Sequence, residues 1–210
     1  MAQESLEKIN LSVPLTPQIA QNVMSLEGQT RGATFKTDSE FILKEKGKEG
    51  LEKVEAKLAE LGFPVKYKEI ETMKYYPIGF RFLSLLSIRD VFSFSEDDLF
   101  RMGSMAPKIS LVIRMFFNLF PSKRKTFDQV SNIWHKHYTV GNLTAVELDE
   151  DKKYVIIRLE GFKFFPFFCN YLRGYFLTVV KMIVNSPTTF EETKCPFLGD
   201  EYHEYLFKWQ

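Results

Sequence analysis

The sequence predicts an α+β fold, with N-terminal helices packed against a C-terminal antiparallel sheet in the order strand–strand–helix–strand–strand. Two observations predict it. Apolar residues recur at helical spacing in the first part of the chain, as at Leu51, Val54, Leu58 and Leu61. After Gly141 the period shortens to alternation, and two strand pairs flank one long apolar run. Sheets made of hairpins commonly carry their helices on one face, which gives the layered arrangement.

The elements follow in order. Residues 1–40 carry Pro14, Pro17, Gly28 and Gly32 with weak periodicity, and read as a partly ordered lead-in with one short helix near Pro17–Leu26. Residues 41–210 read as a single domain. Gly62 stops the helix that contains Leu51 and Leu61. "FPVKYKEI" is a short extended piece, and "YYPIGF" opens a helix over Ile78–Val91. Ser95 followed by Glu96, Asp97 and Asp98 is a helix start, because the hydroxyl can cap free amides and the acids suit the positive end. Gly103 is expected to end that helix, with a separate apolar helix over Ala106–Phe120 closed by Pro121. Thr126 and Gln129 have capping-box spacing for a helix over Phe127–Tyr138. "NLTAVEL" and "KYVIIRLEG" pair across the polar turn "DEDK". Phe164–Asn185 is a long helix stopped by Pro187, and "TTFEETKC" with "EYHEYLFKW" makes a second hairpin around "PFLGD".

Composition narrows the function classes. The 210 residues carry a net charge of +1, so no overall field favours nucleic acid. Two cysteines do not make a disulfide framework, and reduced thiols fit a cytoplasmic protein. The first residues lack the basic and apolar regions of a signal peptide, and charges at Lys163, Arg173 and Lys181 interrupt the most apolar stretch. No Gly-rich phosphate loop, paired-carboxylate motif or serine elbow is present, which favours a non-enzymatic role. The 21 Phe are an excess, suited to a thick core or to the lining of an apolar pocket.

The long helix with "CNYLRGYF" and the closing "KCPFLGDEYHEYLFKW" resemble the vinyl-4-reductase domain, whose relatives include the TRAPP vesicle-tethering subunits. In that family the last hairpin often reads Cys, a short gap, Gly-Asp, then a second Cys or a small residue and an aromatic strand. Here Cys195, Gly199 and Asp200 match, and His203 stands where the second Cys is common. "FSEDDLFRMGSMAPK" and "IWHKHYTVGNL" are similar to the helical part of haem-nitric-oxide-binding (H-NOX-like) domains. The resemblance implies binding of a small molecule or a partner protein, beside a signalling or transcriptional output.

Candidate sites follow. An apolar pocket between the long C-terminal helix and the N-terminal helices would be lined by Met115, Phe116, Phe164, Phe165, Phe168, Cys169 and Phe176. Its ligand would be an acyl chain or a tetrapyrrole-like ring, and the TRAPP resemblance implies that Cys169 could carry an acyl thioester. Cys195 and His203, with Cys169 and Asp200, offer zinc a ligand set, although the missing Cys-x-x-Cys favours a plain structural hairpin. His135 and His137 are haem candidates, but residues two apart on a helix point about 200° apart, so one of them could face a pocket. The Tyr-x-Ser-x-Arg pattern that grips haem propionates in H-NOX proteins is absent. "KISLVIRMFFNLFPSKRK" would allow peripheral contact with an anionic membrane, or form a core helix followed by a solvated loop. The functional expectation is a small-molecule-binding or sensory domain. A homodimerising TRAPP-like interaction module and a haem-based gas sensor are the alternatives.

Overall fold

In the computed structural model, which describes residues 14–110, 113 and 122–210, helix α1 spans Pro17–Met24. The Thr16 hydroxyl accepts from the Ile19 amide at 3.3 Å, and Pro17 supplies a first helical residue with no amide to satisfy. The chain divides into two compact units, Met1–Leu99 and Phe100–Gln210.

In the first unit, strand β1 (Gln29–Arg31) pairs antiparallel with β2 (Tyr75–Pro77). Between them runs α2, Gly32–Glu60, and after them α3, Ile78–Phe92. Helix α2 passes through residue 40 without a break and kinks at Gly47, whose φ of 68° and ψ of −172° suit only glycine. The half of α2 before the kink escapes the sequence reading because its buried face is partly polar. Asp38 and Ser39 are buried beside Phe35, Phe41 and Ile42. Asp38 faces Arg81 of α3, whose guanidinium donates to it at 2.5 Å. One turn further along α3, Ser84 shares a 2.5 Å hydrogen bond with the buried Tyr67 hydroxyl, and burial pushes that phenol's pKa up.

Helix α4, Glu96–Ile109, starts in the first unit and continues into the second. Its start is as predicted: the Ser95 hydroxyl accepts from the Asp98 amide at 3.2 Å, and Asp98 accepts from the Ser95 amide at 3.0 Å. Its end is not, because the helix runs straight through Gly103. That glycine serves a crossing. A Cβ on Gly103 would lie 2.0 Å from the Tyr171 carbonyl oxygen, and one on Gly174 would lie 2.1 Å from the Phe100 carbonyl oxygen. The expected helix over Phe127–Tyr138 is two short ones, α5 (Lys123–Asp128) and α6 (Val130–His137), divided at Gln129. Ser122 caps α5 by accepting from the Lys125 amide at 3.3 Å, whereas the Thr126 hydroxyl donates to the Ser122 carbonyl.

The four-stranded sheet has the order β3 (Asn142–Asp149), β4 (Tyr154–Glu160), β6 (His203–Trp209), β5 (Thr188–Lys194), with every pair antiparallel. Helix α7, Pro166–Val184, connects the two hairpins and ends at Asn185 in a left-handed conformation. It is long and apolar enough to cross a membrane, yet Phe168, Leu172, Phe176 and Val180 are buried within the protein. Strand β6 alternates, with His203, Tyr205, Phe207 and Trp209 buried and Glu204, Leu206 and Lys208 more exposed. A bulge between Glu192 and Lys194 of β5 pairs Lys194 with Glu204, while Glu192 pairs with Tyr205.

Candidate metal centre

Three elements of the second unit bring their chemistry to one point. Cys169 lies in the first turn of α7, Cys195 directly follows β5, and His203 opens β6. The register of β6 puts His203 on the buried face, and the hairpin turn returns the chain from Cys195 to it. That turn is built by Asp200, whose carboxylate accepts from the Cys195 amide at 2.8 Å, and by Gly199, whose φ is 105°. Asp200 is therefore a turn builder, and it is exposed. The two sulfurs and an imidazole nitrogen lie within 4.8 Å of one another, all on buried residues.

Neither cysteine is in a disulfide. Burial pushes the Cys169 thiol well up, and the neighbouring Cys195 and Glu192 raise it further. Burial also raises Cys195. His203 Nδ1 is 3.2 Å from Glu192 Oε1, and Arg173 Nε is 3.7 Å from the other oxygen of that carboxylate. When Nδ1–H donates to Glu192, the imidazole keeps a lone pair on Nε2, the arrangement found where a carboxylate orients a metal-binding histidine. Two sulfurs, one nitrogen and a nearby carboxylate make a borderline-soft donor set that suits tetrahedral zinc. Zinc ligands sit about 3.3–3.8 Å apart in such a tetrahedron, so small side-chain rotations close the set. Asp200 is the one predicted zinc candidate that stands aside.

The aromatic candidates occupy the same unit. Phe164 and Phe168 pack on Phe162 with ring centres 4.8 and 6.1 Å away, Phe165 packs on Phe167, and Phe176 meets Tyr205 and Trp134. Cys169 looks toward Cys195 and His203. Met115 and Phe116 lie outside the described residues, as does most of the amphipathic segment around them. His135 is exposed and His137 is buried at the end of α6. A surface hollow of about 250 Å³ is bordered by Lys181, Thr188, Thr189, Lys208 and Trp209, away from the predicted aromatic lining. Glu192, Arg173 and Tyr205 escape the sequence reading. The signal for them was the strand period, which places Tyr205 on the His203 face, and the helical period, which places Arg173 one turn after Cys169.

No protein-family model matches the chain, and no curated protein matches it. Solved structures do. An H-NOX protein from S. oneidensis in the Fe(II)NO ligation state aligns at 12% identity over 86% of this chain and 99% of that one, with a TM-score of 0.65. An H-NOX domain from Shewanella oneidensis in the Fe(II)CO state aligns at 14% identity over 86% and 98%, with a TM-score of 0.63. An oxygen-binding H-NOX domain related to soluble guanylate cyclases aligns at 11% identity over 86% and 95%, with a TM-score of 0.57. The chain has the α+β fold of H-NOX domains.

Proposed function

We propose that this chain is a non-enzymatic sensory domain for a small apolar molecule, its closing hairpin fastened to α7 by zinc at Cys169, Cys195 and His203. Glu192 orients the His203 imidazole. The observation that carries this reading is the meeting of two buried thiols and an imidazole from three separate elements within 4.8 Å. Ligands drawn from three separate elements tie the hairpin to α7, so the binding energy of the metal becomes folding energy for the hairpin. The small-molecule part of the reading is supported by the fold that the chain shares with H-NOX domains solved with diatomic molecules bound. Metal analysis of protein purified without chelator should find one equivalent of zinc. Cys195→Ser should lose it, and a chelator should lower the melting temperature of the wild type alone. Protein that arrives metal-free, takes up no added zinc and melts like Cys195→Ser would overturn the reading.

Haem-based gas sensing is the second reading, supported by the fold shared with domains solved in Fe(II)NO, Fe(II)CO and oxygen-bound states. The residue that would hold the iron is the buried His137, while the exposed His135 faces water. A buried imidazole is the donor type that haem iron takes, while the propionate grip of H-NOX proteins has no counterpart in the sequence. Haem, when bound, would supply a ferrous iron for a diatomic gas. A Soret band in protein made with ample haem precursor, lost in His137→Ala, is the expected result on this reading. Colourless protein that binds no added haemin ends it.

A further inference from the structure

The Tyr205 side chain is fully buried, and among the described residues its hydroxyl makes no hydrogen bond of full length and angle, although Glu192 lies beside it. Such an orphan in a protein interior calls for a physical reason. Its surroundings supply one. The ring stacks on His203 with centres 6.2 Å apart and planes 6° apart, two residues along the same face of β6. Glu192 is the cross-strand partner of Tyr205, so the two side chains stand next to each other on one face of the sheet. Arg173 Nε is a second buried donor without a hydrogen bond, and it too is directed to Glu192, at 3.7 Å. Two unsatisfied donors thus converge on one carboxylate, and that carboxylate holds His203.

We infer that Tyr205 is a positioning residue of the metal centre: its hydroxyl donates to Glu192 when metal is bound, fixing the carboxylate that orients the His203 imidazole. Loading the centre fixes His203 against the cysteine sulfurs, and Glu192, held by that imidazole, takes up a full hydrogen bond from the phenol. The inference rests on the zinc reading above. It gives Tyr205→Phe, which removes one oxygen and keeps the packing, two effects of opposite sign. The metal-free variant should be at least as stable as the wild type, because a buried unsatisfied hydroxyl is gone. Zinc affinity, measured by competition with a chromophoric chelator, should fall about 10- to 100-fold. With cobalt(II) in place of zinc, the sulfur-to-metal charge-transfer band should shift as the imidazole loses its fixed orientation.

In a Glu192→Gln background the tyrosine substitution should change affinity far less, since the acceptor it served is altered. Equal affinity and identical cobalt spectra for wild type and Tyr205→Phe would overturn the inference while leaving the centre intact. A Tyr205→Phe loss that persists undiminished in Glu192→Gln would overturn Glu192 as the acceptor. Wild-type protein that binds neither metal removes the centre itself, and this inference with it.

Discussion

Gly174→Ala is expected to lower the melting temperature by about 6–12 °C, corresponding to about 3 kcal/mol in a chain of this size. The added methyl would sit 2.1 Å from the Phe100 carbonyl oxygen, 2.8 Å from Ser104 Oγ and 2.9 Å from the Ser104 amide nitrogen. Two of those atoms are backbone inside a helix, so neither can rotate aside. Relief requires α4 and α7 to separate, which opens the packing on both. Gly103→Ala makes the reciprocal clash with the Tyr171 carbonyl, and the double variant should cost less than the sum of the singles. Thermal unfolding followed by far-ultraviolet circular dichroism decides the matter. A Gly174→Ala protein that melts within two or three degrees of wild type would show that the helices do not cross backbone to backbone.

Arg81→Met should be equally damaging to the first unit, at about 3–5 kcal/mol. Arg81 and Asp38 are 1% and 0% exposed, and the substitution removes the cation that faces a carboxylate with no route to water. Charges in low dielectric interact strongly, so removing one partner costs far more than the pair contributes on balance. Asp38→Asn combined with Arg81→Met should therefore recover at least half of the loss. Urea unfolding of the three variants tests this. An Arg81→Met protein within about 1 kcal/mol of wild type, or a double variant worse than both singles, would refute a buried ion pair at this place.

The legibility of the chain differed from element to element for identifiable reasons. The two hairpins, α3 and α7 declared themselves, because alternation and long apolar runs reflect burial on a regular surface. The first half of α2 did not, because Asp38 and Ser39 occupy its buried face and read as a loop. Gly103 misled for a related reason: a helix-stopping residue type was serving a close approach that only its neighbour in space required. At the candidate metal centre, Cys195, Gly199, Asp200 and His203 stood out as a local pattern. Their division of labour did not, since Asp200 spends its carboxylate on the turn.

What the sequence determined by itself was the order of elements and the faces they bury, because both follow from spacing along the chain and from the period of helix or strand. The tertiary structure alone decided which distant residues meet: Cys169 with Cys195 and His203, Asp38 with Arg81, Glu192 with Tyr205. Spacing fixes a side chain's direction on its own element. A coordination set or an ion pair is a distance between elements, set by sheet register and helix packing, and no local pattern encodes it.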